Sequence, residues 1–367
     1  MSNTRNRTKE GLNMKKCSFL ASYLVLATAL ICPSLAQKEP PAVYSQNPEA
    51  NALFLKAREY SGKSDPRTGG KLANAREAIK LFEQAVQKDP HFALAYVELS
   101  RAWLSLGYSD PDGATNEEIL PPARAAALKA VELDPKLPEA HLGLASLSYS
   151  VDFDWDRAER EYKLALQLQP DNARANASYA AYLSSMGKFG EALEPATKAD
   201  ELMPSVTVDL VFARTYYSMR RYAMAEDYCK KALARQDNVL GHFFLGLIRV
   251  AEAQYDKAIP EFETAAAGHN GGAMAGLAYG YAIAGQKDRA LEILAKLQAG
   301  RDSGLIVDYR VAAVHLALGD KDQAIEWLRK SYDDRENWMN QLKVDPVMDP
   351  LRSDPRFQEL MRKIHFS

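Results

Sequence analysis

Metal chemistry would need histidine, cysteine and carboxylates at ligand spacing, and the six histidines do not provide it. His91, His141, His242, His269, His315 and His365 are scattered, with no HExxH motif and no Cys/His pairing. His141, His242 and His315 fall inside separate helical segments, where a packed or solvated imidazole is expected. Phosphate chemistry would need a glycine loop ahead of a helix, and hydrolase chemistry a Gly-x-Ser-x-Gly elbow; neither occurs. Gly268-His269-Asn270-Gly271-Gly272 is glycine-rich but stands where a turn between two helical segments belongs. Asp110-Pro111-Asp112-Gly113 begins like a calcium loop, yet the third oxygen ligand and the distal glutamate are missing, so it reads as a capping turn. The chain is therefore expected not to be an enzyme and to carry no cofactor or metal.

The N-terminus reads as a targeting segment. Lys15 and Lys16 precede an apolar run from Phe19 to Ile31, and Pro33 and Ser34-Leu35-Ala36 supply small residues for a cleavage site. The run is shorter than the roughly 20 residues needed to span a bilayer. Residues 1–36 are expected to be a signal peptide and 37–50 a linker, making the protein periplasmic or secreted. The alternative is an uncleaved inner-membrane anchor. Without that segment the chain has 41 Lys+Arg against 47 Asp+Glu, a net charge of −6. No basic cluster interrupts this acidity, so no nucleic-acid partner is expected. Cys17 and Cys32 lie in the segment, leaving Cys229, on an apolar helical stripe, as a packing residue unable to form an internal disulfide.

The elements that position everything else repeat. Alanine recurs in matching segments at Ala78, Ala123, Ala158, Ala192, Ala225, Ala258, Ala290 and Ala324, at spacings of 45, 35, 34, 33, 33, 32 and 34. Seven residues on stand Ala85, Ala130, Ala165, Ala199, Ala232 and Ala265; four on, the slot is mostly large, as at Phe82, Tyr162 and Phe262. Offsets of four and seven fall on one helical stripe. Alternating small and large residues lets a partner helix approach against the alanines while the ring fills the gap. Pro90, Pro135, Pro170 and Pro204 follow twelve residues after the first alanine of four units and punctuate the array.

This pattern resembles the tetratricopeptide repeat. In the unit from Ala173 to Pro204, Ala180, Gly187, Phe189, Ala192, Ala199 and Pro204 stand where that family has small, turn, aromatic, small, small and proline residues. Leu245-Gly246, Tyr255, Ala258, Phe262 and Ala265 match again two units later. The resemblance spans residues 51–332 and implies an all-α, right-handed superhelical solenoid of about eight antiparallel helix pairs. The last four units lack the terminal proline, and the first two carry insertions around 61–73 and 108–120. In such repeats the second, fifth, ninth and twelfth positions of the first helix face the concave side. That implies a groove lined by Arg58, Arg101, Arg214, Tyr217, Phe243, Leu247, Tyr279 and Tyr309. Arginine matches carboxylates and the aromatics are low-entropy anchors, so the expected partner is a protein or peptide segment with acidic and apolar groups. Its identity and the oligomeric state are not readable.

Residues 333–367 form a tail. Leu342-Lys343-Val344-Asp345-Pro346 and Asp349-Pro350-Leu351-Arg352-Ser353-Asp354-Pro355-Arg356-Phe357 resemble the end of the repeat region in some bacterial sensor kinases and transcription regulators, though no kinase or winged-helix segment is present. The likeness implies an alternative role as sensor or regulatory subunit of a membrane-bound complex. Asp354 can cap a last helix beginning at Pro355. Phe357, Leu360, Met361 and Ile364 would form its apolar face, lidding the final repeat.

Overall fold

The computed structural model describes residues 43–62, 72–109, 116–267, 271–299 and 308–366. The expected signal peptide, the Asp110–Gly113 turn and His269 lie outside them. Among the described residues, sixteen helices form eight consecutive pairs: α1 Pro48–Gly62 with α2 Leu72–Lys88, α3 Ala93–Ser109 with α4 Asn116–Leu133, α5 Pro138–Leu147 with α6 Trp155–Leu168, and α7 Ala173–Ser185 with α8 Phe189–Leu202. They continue with α9 Val206–Ser218 and α10 Tyr222–Arg235, α11 Val239–Ala251 and α12 Tyr255–Ala266, α13 Gly271–Ile283 and α14 Lys287–Ala299, and α15 Asp308–Ala317 and α16 Lys321–Asp333. The tail adds 3-10 segments at 337–341 and 346–351 and a last helix, α17 Pro355–Lys363. No strand occurs among the described residues.

The alanine register is the contact register. All eight period-setting alanines and the six placed seven residues later are no more than 1% exposed, as are Phe82, Tyr162 and Phe262. Cys229 takes the large slot of α10 and is fully covered; burial pushes its thiol up to about 12. A thiol held protonated in this way packs like a small hydrophobe.

Local chemistry sets the corners. Asp89, Asp134 and Gln169 each precede a proline, and their carbonyls accept from the amides of Phe92, Leu137 and Asn172, closing the turn into the next pair. Asn172, Ser205 and Asn238 then cap α7, α9 and α11 by accepting from Ala175, Val208 and Gly241. Within pairs, the turn requires a left-handed residue at one register position. Gly187, Gly285 and Gly319 fill it with φ of 77°, 78° and 88°, while Arg220 and Ala253 hold the same position at 60° and 56°.

The N-terminal edge is more ordered than a linker. Asn47 caps α1 through Glu49 and Ala50, Ser45 Oγ donates to Asp89 Oδ2 at 2.5 Å, and the Tyr44 ring lies 5.3 Å from Phe54. The array therefore starts at Pro48, slightly before its expected boundary.

Where pairs approach most closely, a glycine stands at the contact. A Cβ on Gly246 or Gly280 would lie 2.6 Å from the buried Phe262 ring, from opposite neighbours. Phe262 cannot yield, because it is fully covered. Gly246→Ala and Gly280→Ala should each lower stability by about 1–3 kcal/mol despite alanine's better helix propensity. A fall in urea midpoint at unchanged m-value checks this, and Phe262→Leu placed in either background should recover part of the loss.

Candidate functional site

The groove is built by the first helices α9, α11, α13 and α15. They bring six of the eight expected residues, Arg214, Tyr217, Phe243, Leu247, Tyr279 and Tyr309, around one pocket. Arg58 and Arg101 stand apart in the first two repeats. Arg58 donates to the Tyr44 hydroxyl at 3.0 Å and lies over the Tyr44 and Phe54 rings. Arg101 pairs with Glu98 on its own helix at 2.8 Å.

The groove is not an open trough. Tyr217, Phe243, Leu247, Tyr279 and Tyr309 are each at most 9% exposed, because the chain's own tail covers them. The expected lid over the last repeat is present: α17 meets α16, Arg356 pairs with Asp322 at 2.7 Å, and Lys321 Nζ donates to the Pro350 carbonyl. Asp354 caps α17 at the Arg356 amide, and Phe357, Leu360 and Ile364 are buried. The tail also runs back along the concave side as far as the third repeat, which the sequence pattern did not disclose.

Its course is fixed by successive contacts. At the end of α16, Tyr332 stacks on Phe153 and the Arg335 guanidinium lies over both rings, while Asn116 donates to the Asp334 carbonyl. Glu336 accepts from the amides of Asp308 and Tyr309 and from Ser331 Oγ, capping α15. Burial pushes its carboxyl above the usual range against these three donors. Trp338 then lies 4.3 Å from the Arg310 guanidinium, which also sits 3.6 Å from the Phe243 ring. Gln341 Nε2 donates at 2.7 Å to Ser185 Oγ, itself 2.5 Å from the Tyr149 hydroxyl.

Asp345 caps the second 3-10 segment at the Val347 amide and accepts from the Tyr309 hydroxyl at 2.9 Å. Burial raises the Asp345 carboxyl above the ordinary range and the Tyr309 phenol well above its own. Arg352 donates to the carbonyls of Leu342 and Asp345, holding the intervening loop closed. Asp349 takes both bonds from Arg220, at 2.6 and 2.8 Å. At the far end Trp155 Nε1 donates to the Ile364 carbonyl at 2.6 Å, and its ring stacks on Phe366 with centroids 4.7 Å apart and planes 7° from parallel.

One turn of this array, residues 211–244, matches the family model for the tetratricopeptide repeat. The fold is that of a tetratricopeptide-like helical solenoid. A 147-residue stretch is 28% identical to the type IV pilus assembly protein PilF of Pseudomonas aeruginosa, covering 39% of this chain. The chain spans about half, 54%, of that relative's length. Among solved structures, the APC/C hetero-tetramer Cut9-Hcn1 aligns with a TM-score of 0.53 at 16% identity, over 86% of this chain and 55% of the other. The human IFIT1 dimer with m7Gppp-AAAA aligns at 0.51 and 21% identity, over 80% and 73%. These structural likenesses are likenesses of fold.

Sequence reasoning missed part of this tetratricopeptide groove. Arg310, Trp338, Gln341 and Asp345 also line the pocket. Arg310 directly follows an expected groove residue, and the rest belong to a tail read only as a lid. Arg220 had a visible signal: it occupies the register position of Gly187, Gly285 and Gly319. The histidines show no convergence. His141 is buried between Glu161 and the Pro135 carbonyl, His242 bridges Glu261 and Asp237, and His315 stacks on Trp327. No group of three metal-ligating side chains occurs among the described residues.

Arg220 sets a left-handed strain against an ion pair to the tail. Relieving that backbone is worth about 1–2 kcal/mol, while an exposed pair is worth about 0.2–1 kcal/mol. Arg220→Gly should therefore leave global stability unchanged or slightly higher while loosening the tail. Faster amide exchange confined to residues 346–352, at an unreduced urea midpoint, is the expected result.

Proposed function

We propose that this chain is an exported protein-interaction scaffold that engages a protein or peptide partner on the concave face of its fifth to eighth repeats. The observation that carries the reading is the tail itself. This face already holds a segment built of short 3-10 turns, gripping one indole between a guanidinium and aromatic rings and two carboxylates through Tyr309 and Arg220. A surface that recognises an aromatic side chain and spaced carboxylates within its own chain has the chemistry to recognise the same groups in another. Among the described residues no comparable set of converging catalytic groups competes for this role, and a partner would bind beside the tail or in its place.

A related reading makes the chain a regulatory subunit of a membrane-bound envelope complex. It is favoured by the stretch similar to PilF, a protein named for pilus assembly. Among the described residues, no helix is long and apolar enough to cross a membrane. Membrane association would then come through a partner or through the N-terminal segment.

Affinity capture from solubilised envelope, with the full mature chain as bait, tests the groove assignment. A partner of this face should be retained by the wild type and by Arg101→Glu, and lost with Arg214→Glu at unchanged helical circular dichroism. Loss with Arg101→Glu alone would move the site to the N-terminal repeats. Export has its own check: protein recovered from the envelope fraction should begin at Gln37 on N-terminal sequencing, and a chain retaining Met1 or Met14 would exclude cleavage.

A further inference from the structure

Two arginines of the pocket are left without the partners such groups normally have. Arg310 is 7% exposed; its Nη1 donates to the Gly272 carbonyl at 3.1 Å and its guanidinium lies against the Phe243 and Trp338 rings, but its Nε has no acceptor. Arg214 Nε, from α9, is likewise buried without an acceptor. Among the described residues neither guanidinium pairs with a carboxylate. The nearby Asp345 and Glu336 act on Arg310 only through their charge, and their hydrogen bonds go elsewhere. Asp345 accepts from Val347 and Tyr309, and Glu336 accepts from Asp308, Tyr309 and Ser331. Arg352 is turned to backbone carbonyls of the tail. Leaving N–H donors of a buried cation unsatisfied is costly, and here one such cation, Arg310, and the buried Nε of a half-buried second, Arg214, line the same pocket.

We propose that the pocket between Arg214 and Arg310 is a binding site for a single carboxylate group carried on a small apolar stem. This deepens the groove reading, on which it rests, by naming the group the pocket takes. Size selects the ligand: the cavity is about 40 Å³, room for roughly three waters at about 10–15 Å³ each. A carboxylate fits that space, and an aromatic ring or a nucleotide does not. Charge selects it too. A planar monoanion suits guanidinium N–H donors, whereas a phosphate dianion would need more donors than these walls provide and would bring twice the negative charge against Asp345, which also lines the pocket. Phe244, Leu247 and Ala313 supply an apolar part of the lining, which suits a methyl or short alkyl stem. The carboxylate could come from a free small acid or from a partner's chain.

The Nε–Hε cross-peaks of the full-length chain labelled with 15N-arginine report directly on the two groups, assigned through Arg214→Lys and Arg310→Lys. Sodium acetate, N-acetyl-alanine and its amide, sodium phosphate and sodium chloride are titrated at matched ionic strength. Acetate and N-acetyl-alanine should move both peaks along one saturable millimolar curve, with the amide, phosphate and chloride leaving them in place. Acetate acting without N-acetyl-alanine assigns the site to a free acid. Peaks unmoved by acetate, or moved equally by chloride or phosphate, overturn the proposal.

Arg310→Met keeps length and ring contacts while removing the charge. It should stay folded and weaken the acetate response of Arg214 by about tenfold or more, the loss of one charge-assisted bond. Should it not fold, Arg214→Met read at the Arg310 peak makes the same measurement, and an unchanged response in the folded variant counts against the site. The two readings fail separately. An acetate response with no captured partner retains the site and removes the scaffold assignment. A partner lost on Arg214→Glu with no acetate response does the reverse.

Discussion

Helices in this chain pair closely because an alanine stands at the contact position of each second helix, with a large side chain or a thiol four residues on in six of the eight and a further alanine, Ala127 or Ala196, in the other two. A larger residue at Ala158 or Ala225 would hold the paired helices apart, since both are completely covered. Close pairing repeated at a nearly constant register stacks each hairpin on the last with the same small rotation, and a curved array follows. Curvature then creates a concave side whose apolar residues need cover. Everything distinctive about residues 333–366 answers that need.

The tail supplies the cover, and it does so as core rather than as a loose flap. Met339, Leu342, Met348 and Leu351 are fully buried, and they belong to the same hydrophobic cluster as Tyr162, Phe212 and Ile248 of the repeats. The polar contacts are placed among these apolar ones so that a segment with little regular structure has a single course. Asp345 and Asp354 cap their following turns, Gln341 reaches Ser185, and Trp155 holds the last residues. Contacts reaching from the eighth repeat to the third tie the array across its concave side. Neighbour-only cooperativity, usual for solenoids, is therefore supplemented over this part of the chain.

Departures from the repeat are where specific chemistry sits. Arg220 accepts a left-handed backbone that glycine takes more easily, and its side chain binds Asp349. Gly246, which matches the repeat, and Gly280 both stand against Phe262 with no room for a Cβ, giving up helix propensity for a closer approach. Arg310 places a cation in an aromatic enclosure, and burial brings its guanidinium down to about 9. Each is a local cost, and all but the glycine pair lie at the tail or at the pocket it completes.

The helical class, the eight-pair register, the buried alanines and six residues that come to line one pocket were legible in the sequence, because period and side-chain size act locally and leave their mark at fixed spacing. The cap at Asp354 was legible for the same reason. What tertiary structure alone decided was that the tail fills the groove. Trp155 meets Ile364 at a separation of 209 residues and Gln341 meets Ser185 at 156, and no spacing in a single sequence encodes which distant surfaces a curved array brings face to face. Arg58 and Arg101 were separated from the other groove residues on the same ground: the repeat position says which side of its helix a residue occupies, and only the fold says what stands opposite.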